Sequence, residues 1–174
     1  ADERLPAGGM AHVREAIRAA SPELGAFSLP IRTHLGDRFL RWGGWYPARR
    51  IRLYRRGAVR WDPRVRVHES PTVAGRLRPL DLPLEHYPYA DLPAFRARQL
   101  HYAALAALQL REVGRRPSAL DGAIRALWRV LRNGLFRGGF LMGGLGLRLA
   151  LIQGEAVWMR TRWARDGLPG THLL

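Results

Sequence analysis

The chain has 174 residues, 47% of them hydrophobic, which suffices for one domain with a substantial core. It contains no cysteine, which excludes a disulfide framework and a cysteine-ligated zinc site. Its formal net charge is +15, and a surplus of this size attracts nucleic acid, anionic lipid or phosphorylated ligands.

The N-terminal part of the chain predicts a helix, a strand and a loop. Between residues 9 and 20 apolar side chains recur at steps of three and four, which is the period of a helix, and Pro22 terminates it. Residues 27–33 are typical of a strand. Residues 36–47 are rich in Gly and Trp and have no clean period, so we predict a loop there.

The middle of the chain predicts short strands joined by loops. Residues 49–56 alternate roughly between apolar side chains and arginines, as a half-buried strand does. Residues 59–61 and 65–67 are further extended pieces, and residues 80–89 are interrupted by two prolines. We expect this block to form the floor and rim of a cleft.

From Asp91 onward the pattern becomes helical. Residues 92–113 predict a long helix with Asp91 near its N-terminus. A second helix is predicted at residues 118–135 and a third at residues 147–164. An Arg-Arg-Pro break separates the first two helices, and a glycine-rich segment separates the second from the third.

The second of these helices has an apolar face and a basic face. The apolar face comprises Leu120, Ile124, Leu127, Trp128, Leu131 and Leu135. Three arginines, Arg125, Arg129 and Arg132, gather on another face. Such a helix suits either a bilayer interface with anionic headgroups or the surface of its own domain, and the period alone leaves both open.

The segment after this helix favours the bilayer interface. Residues 138–147 are uncharged and apolar, but no apolar run reaches the ~18 residues that a membrane span requires. Trp158 and Trp163, beside three arginines, resemble an interfacial anchor. The sequence therefore predicts a tail that lies on or dips into the membrane without crossing it.

Three short stretches contain the candidate catalytic and binding residues. They are Ala1-Asp2-Glu3, then Gly43-Gly44-Trp45-Tyr46-Pro47 with Arg52-Leu53-Tyr54-Arg55-Arg56-Gly57, and finally Val67-His68-Glu69. Taken singly, each has an ordinary structural explanation: a solvated acidic pair, an aromatic plug in a loop, a solvated arginine face, or a polar pair at a strand end.

Together, in this order, the stretches resemble the family 2 glycosyltransferases that build lipopolysaccharide cores and related bacterial surface glycans. That group has an Asp-x-Asp-Glu stretch, a Gly-Gly-Trp-Tyr-Pro loop, an Arg-Leu-Phe/Tyr-Arg-Arg strand and a Val-His-Glu. A Phe-Arg-Gly-Gly-Phe-like stretch follows in its helical tail, here at residues 136–140. The resemblance extends from Ala1 to about Trp163.

The resemblance implies an α/β fold in two parts. Residues 1–90 would be the acceptor-binding and catalytic part of a truncated GT-A-like domain, and residues 91–174 a helical, membrane-associating tail. The implied activity is inverting transfer of a sugar from a nucleotide-sugar donor to a glycan or lipid-linked acceptor. The implied location is peripheral, at the cytoplasmic face of the bacterial inner membrane.

The resemblance also assigns roles to individual residues. Asp2 matches the second Asp of the metal motif, which holds Mg²⁺ or Mn²⁺ against the donor diphosphate. Glu69 is the candidate general base that takes the proton from the acceptor hydroxyl. His68 would orient Glu69, bind the diphosphate, or serve as the base itself.

Further residues are candidates for substrate binding. Arg52, Arg55 and Arg56 could clamp phosphate oxygens, because the guanidinium fork matches their geometry. Trp45 and Tyr46 offer flat apolar faces to a sugar ring. His86 and Tyr87 resemble a His-Tyr pair near the end of the family's catalytic domain.

Two departures from the family pattern limit these expectations. The position after Pro47 is often Asp in the family and is Ala48 here, so an acceptor contact made there would be lost or relocated. The chain starts at Ala1, downstream of the first Asp of the metal motif and of the donor-binding half. We therefore expect a C-terminal fragment that is inactive by itself.

Two other classes of function compete with the glycosyltransferase. One is a basic RNA-binding module, which the net charge and six tryptophans permit. Against it, the arginines are spread evenly and no RNP-like, KH or zinc-knuckle pattern occurs, so nucleic acid is the less favoured partner. The other is a non-catalytic module on a membrane surface.

Overall fold

The computed structural model describes residues 2–61 and 71–168. It separates into two compact units: unit 1 is Ala1–Arg41 with Trp45–Pro88, and unit 2 is Trp42–Gly44 with Tyr89–Leu174. Unit 1 is built around a mixed sheet and unit 2 around helices, so the predicted α/β class is confirmed. The division at residue 90 into a catalytic part and a membrane-associating tail stays a prediction.

The sheet of unit 1 is organised around one long central strand. The strands and the first helix along the chain are β1 (Glu3–Arg4), α1 (Gly9–Arg18), β2 (Leu24–Leu35), β3 (Arg38–Phe39), β4 (Ala48–Tyr54), β5 (Val59–Arg60), β6 (Thr72–Val73), β7 (Arg76–Pro79) and β8 (Leu84–Tyr89). Strand β2 pairs antiparallel with β3 and β4 and parallel with β7. Strand β8 lies between β2 and β1, with His86 opposite Glu3. The mixed sheet therefore brings the N-terminal residues next to β8.

The core of unit 1 follows from the apolar pattern of β2 and α1. Nearly every residue of β2 is buried, and Leu24, Phe27 and Leu29 form a cluster with side chains from the segment that follows β7. Val13 and Ala16 of α1 pack against that cluster. The helix predicted at residues 9–20 and the strand predicted at residues 27–33 are therefore confirmed, with β2 longer than predicted.

We predicted a loop throughout residues 36–47. This prediction is wrong for Arg38–Phe39, because these two residues form strand β3. Gly36 adopts a φ of 55°, a conformation that glycine tolerates without a steric cost. This turn allows Arg38 and Phe39 to pair with Leu35 and His34 of β2. The extended piece predicted at residues 65–67 lies outside the described residues.

Unit 2 consists mainly of three long helices. They are α2 (Leu92–Glu112), α3 (Ala119–Leu131) and α4 (Gly144–Asp166), and a π-helical turn (Arg132–Phe136) and a 3₁₀ turn (Gly139–Met142) connect α3 to α4. The predicted cap of α2 is confirmed, because Asp91 Oδ1 accepts a hydrogen bond from Ala94 N at 2.8 Å. Ser118 caps α3 in the same way through Asp121 N, at 3.1 Å.

Helix α4 packs against both of its neighbours through small residues. Alanines 103, 104 and 107 of α2 meet Ala156, Ala164 and Trp163 of α4. Trp163 is only 4% exposed, so the prediction that it anchors the chain at a membrane interface is wrong: the alanine-rich face of α2 leaves space for the indole inside. None of the helices in the described part of the chain combines the length and apolar composition that crossing a membrane requires.

The close approach of α3 and α4 gives a first testable prediction. A Cβ added at Gly154 would lie 2.4 Å from Val130 Cγ2 and 3.2 Å from the carbonyl oxygen of Ala126. We expect Gly154→Ala to lower the free energy of unfolding by about 1–3 kcal/mol, since one helix must move away. Urea denaturation followed by circular dichroism measures this change.

The matched control is Gly144→Ala, in the first turn of the same helix. A Cβ at Gly144 meets no atom within 4 Å, and alanine is the better helix former. Stability should therefore stay unchanged or rise. An equal loss in both variants would mean that α3 and α4 do not pack as closely as described.

Candidate functional site

The two acidic residues at the N-terminus lie beside an arginine of β4 and a histidine of β8. Arg52 donates to Glu3 from Nε (2.9 Å to Oε2) and from NH2 (2.7 Å to Oε1). Asp2 Oδ2 lies 3.3 Å from His86 Nε2. The hydrogen bond to Glu3 raises the pKa of Arg52, against the opposing effect of burial. Asp2, Glu3, Arg52 and His86 are called the N-terminal cluster below.

The N-terminal cluster contains only part of a divalent-cation site. Both oxygens of Glu3 accept hydrogen bonds from Arg52, which leaves one carboxylate, Asp2, and one imidazole, His86, as candidate ligands. In residues 2–61 and 71–168 no group of three or more metal-ligating side chains occurs. The described residues therefore do not by themselves form a complete site for Mg²⁺ or Mn²⁺.

A second polar cluster joins β2 to β8. His34 Nε2 donates to Glu85 Oε2 at 2.7 Å, and Arg32 donates from NH1 to Glu85 Oε1 at 3.2 Å. The ring of His34 stacks on Tyr87, with 4.4 Å between the ring centroids. His34 is only 9% exposed, so its hydrogen bond to Glu85 is shielded from water. Arg32, His34, Glu85 and Tyr87 form the β2–β8 cluster.

An aromatic row connects the Gly-Gly-Trp-Tyr-Pro motif to the β2–β8 cluster. The ring of Tyr46 meets Phe39 edge-on at 5.4 Å, and Phe39 lies 5.8 Å from the ring of His34. Arg4 stands over the ring of Tyr87 at 5.5 Å. Flat aromatic faces beside guanidinium groups suit a ligand that combines apolar ring surfaces with negative charge.

A groove beside β4 is rich in arginine. Its volume is about 270 Å³, and its lining residues are Ser28, Arg49, Arg50, Ile51, Arg52, Trp61, Pro71 and Leu77. Arg49 is held in place by Asp81, to which NH1 donates at 3.0 Å, and by the carbonyl oxygen of Leu80. Guanidinium groups beside an exposed indole can bind a phosphorylated ligand.

Two of the motifs meet within unit 2. The backbone N–H of Gly43 donates to the carbonyl oxygen of Arg137 at 2.8 Å. A Cβ added at Gly44 would lie 2.4 Å from Arg137 NH1, and Gly44 has a φ of 85°. The glycines of the Gly-Gly-Trp-Tyr-Pro motif therefore allow the Phe-Arg-Gly-Gly-Phe stretch to approach the backbone closely.

The remaining predicted site residues either lie apart from these clusters or fall outside the described residues. Trp45 is half-buried in the turn before β4, and Arg56 is exposed in the turn after it. Arg55 donates to the carbonyl oxygens of Ser21 and Leu24, which ties the end of β4 to the start of β2. His68 and Glu69 lie outside the described residues. The roles assigned to all of them stay predictions.

His34, Glu85 and Arg32 are candidate functional residues that no motif indicated. They meet only because β8 is the neighbour of β2 in the sheet. His34 and Glu85 are 51 residues apart along the chain. The one available signal was the presence of polar side chains in otherwise buried strands. Arg49 and Arg50 were missed because an arginine-rich strand also fits a solvated face.

No protein-family model matches the chain, and no solved structure matches it. The functional proposal therefore depends on the motifs and on the geometry of the clusters.

Proposed function

We propose that this chain is part of an inverting family 2 glycosyltransferase. The enzyme would move a sugar from a nucleotide-sugar donor to a glycan or lipid-linked acceptor in bacterial lipopolysaccharide or surface-polysaccharide synthesis, on a GT-A-like domain. The observation that carries the proposal is the occurrence, in the family's order, of Asp-Glu, Gly-Gly-Trp-Tyr-Pro, Arg-Leu-Tyr-Arg-Arg, Val-His-Glu and Phe-Arg-Gly-Gly-Phe.

Contacts between motifs that are distant in sequence support the proposal. Glu3 of the first motif is bound by Arg52 of the third, 49 residues later. Gly43 of the second motif is hydrogen-bonded to Arg137 of the last. Unit 1 and unit 2 therefore each bring two of the motifs into contact.

In this proposal the acidic and basic residues bind the donor diphosphate, directly or through a cation. Arg52 orients Glu3, and Arg55 and Arg56, with the arginine groove, offer guanidinium groups to phosphate oxygens. The proposed cofactor is Mg²⁺ or Mn²⁺ with Asp2 as one ligand, and because the described residues supply no complete site, the donor diphosphate would have to contribute further oxygen ligands. Bound there, the cation would neutralise charge on the diphosphate.

The acceptor side of the reaction involves the aromatic and Val-His-Glu motifs. Trp45 and Tyr46 offer ring faces to a sugar, and Tyr46 belongs to the aromatic row of unit 1. Glu69 takes the proton from the attacking acceptor hydroxyl, with His68 orienting it or acting in its place. A lipid-linked acceptor would hold the enzyme at the cytoplasmic face of the inner membrane, as a peripheral protein.

The experiment that tests this function is a donor screen with the protein in its full natural length. We expect release of a nucleoside diphosphate from one class of nucleotide sugar, and labelling of a bacterial glycolipid extract, only when Mg²⁺ or Mn²⁺ is present. Removal of the metal with EDTA should abolish both signals. Failure to use any nucleotide sugar, with the metal and the glycolipid extract present, would refute the proposal.

The variant Asp2→Asn tests the cation within the same assay. We expect the metal concentration for half-maximal rate to rise about 10–100-fold, because an amide oxygen binds a hard cation less tightly than a carboxylate does. The control is Asp37→Asn, an exposed acidic residue in the turn between β2 and β3, which should behave as the natural protein does. An unchanged metal dependence in Asp2→Asn would remove this residue from the site.

A further inference from the structure

The exposed face of α3 consists of large apolar side chains. Leu120 is 71% exposed and Leu127 is 60% exposed, and Ile124, Trp128 and Leu131 on the same face are also exposed. The opposite face of the helix, which packs on α4, carries smaller side chains. Gly122 faces Thr161, and Ala126 and Val130 face Gly154. A helix on the surface of a domain in water normally has the reverse arrangement, with its large apolar side chains against the core.

The same apolar surface continues beyond α3. The π-helical turn exposes Leu135 and Phe136, and Phe136 lies 5.7 Å from the ring of Trp128. The 3₁₀ turn exposes Phe140 and Leu141. Soluble monomers seldom expose contiguous apolar patches of more than a few hundred Å², and such patches usually mark an interaction surface. The exposed apolar residues of α3 and of the two turns are called the outer surface below.

Positive charge accompanies the outer surface. Residues 118–148 contain five arginines and a single acidic residue, Asp121, which is paired with Arg125 at 2.8 Å. Burial and the like charges of Arg132, Arg160 and Arg137 lower the pKa of Arg129. These arginines therefore repel one another, and an anionic partner would relieve that repulsion.

We propose that the outer surface docks on an anionic lipid bilayer, with α3 lying in the plane of the interface. Its leucines and aromatic rings would enter the boundary between headgroups and acyl chains, and the arginines would contact lipid phosphates. Trp128 has the ring chemistry that is enriched at this depth, and Phe136 beside it is typical of the apolar face of an interfacial helix. Only residues of unit 2 take part in this docking, which would occur whether or not the chain belongs to a glycosyltransferase.

Charge favours a bilayer over a second copy of the chain as the occupant. A symmetric contact of two outer surfaces would bring the arginines of both copies together, with only Asp121, which is already paired with Arg125, as an acidic residue in the same segment. An anionic bilayer supplies an apolar layer and a layer of phosphates at once, which matches the combination of exposed leucines with a basic rim.

Vesicle sedimentation with the full chain tests the proposal. We expect binding to vesicles that contain phosphatidylglycerol and weaker binding to vesicles of phosphatidylcholine alone. Salt should reduce the binding only in part, because it screens the attraction between arginines and lipid phosphates but not the insertion of apolar side chains. The double variant Ile124→Ser with Leu127→Ser should bind at least about tenfold more weakly, since two inserted side chains lose their apolar area. A second variant, Leu120→Ser, should show a smaller loss in the same direction.

The matched control removes two equally exposed apolar side chains from the other unit. It is Met10→Ser with Ile17→Ser in α1, where both residues are more than half exposed. Vesicle binding should stay as in the natural chain, and circular dichroism should show that all variants are folded. In the protein of full natural length, release of a nucleoside diphosphate from a sugar donor should not change in any of these variants, so the outcome is independent of the proposed activity.

Three results would overturn the proposal. The natural chain could remain in the supernatant with phosphatidylglycerol vesicles at low salt. The α1 control could lose as much binding as the α3 variant. Sedimentation velocity without vesicles could show self-association that Ile124→Ser with Leu127→Ser abolishes while vesicle binding persists, which would assign the outer surface to a second copy.

Discussion

Replacing Glu69, the proposed general base, by Gln is expected to lower kcat for the proposed sugar transfer by about 10²–10⁴-fold, the usual contribution of such a base. Gln keeps the size of the side chain and can still hydrogen-bond the acceptor hydroxyl, but it cannot accept the proton. Donor binding should change little, because the base acts on the acceptor. Steady-state kinetics of the full natural-length protein, with donor affinity measured separately, check both expectations.

The pH profile distinguishes Glu69 from its neighbour. A general base must be deprotonated, so under this proposal the rate of sugar transfer by the natural protein should fall at acidic pH, and this acidic limb of the profile should disappear in Glu69→Gln. His68→Asn should retain the limb if His68 only orients the base. The control Glu15→Gln, at an exposed position of α1, should leave kcat unchanged. An unaltered kcat in Glu69→Gln would exclude Glu69 as the base.

Elements with a strong local signal could be predicted from the sequence. The apolar period of α1, the largely apolar sequence of β2 and the capping residue Asp91 all act over a few neighbouring residues. Such signals depend on backbone geometry and burial of one face, both of which are encoded locally. The helices of unit 2 therefore begin and end within a few residues of their predicted limits.

Features that depend on contacts between distant segments could not be predicted. Strand β3 forms only because it pairs with β2. The sequence of residues 36–47 alone does not indicate that pairing. Trp163 is buried because α2 presents alanines to it, whereas the arginines around it in sequence indicated an exposed position. The local pattern shows that a residue is amphipathic but does not show which side meets another element.

The candidate site divides in the same way. Asp2 and Arg52 could be named from motifs, but the ion pair of Arg52 with Glu3 appears only when β1, β8 and β4 are assembled. Glu85 and His34 had no motif at all, since each is a single polar residue within a strand. Their importance becomes visible only from the short hydrogen bond and the burial that tertiary structure creates.

Replacing Glu85 by Leu should therefore destabilise the protein more than the loss of a surface ion pair would. Without the carboxylate, His34 loses its acceptor in a site where water has little access, and Arg32 loses its partner. Breaking a mostly buried pair by removing one member leaves the other unsatisfied, and we expect a loss of about 2–3 kcal/mol in the free energy of unfolding. Urea denaturation measures it.

A double-mutant cycle shows whether the cost comes from the unpaired histidine. Glu85→Leu combined with His34→Leu should be less destabilised than the sum of the two single variants by about 1 kcal/mol or more, because the double variant no longer leaves a buried histidine without its acceptor. The control is Asp81→Ala, which removes the partner of Arg49 at a position where the acidic side chain is 91% exposed. An exposed pair contributes less than about 1 kcal/mol. Additive effects in the cycle, or an equal loss in Asp81→Ala, would show that Glu85 and His34 are not coupled as a shielded pair.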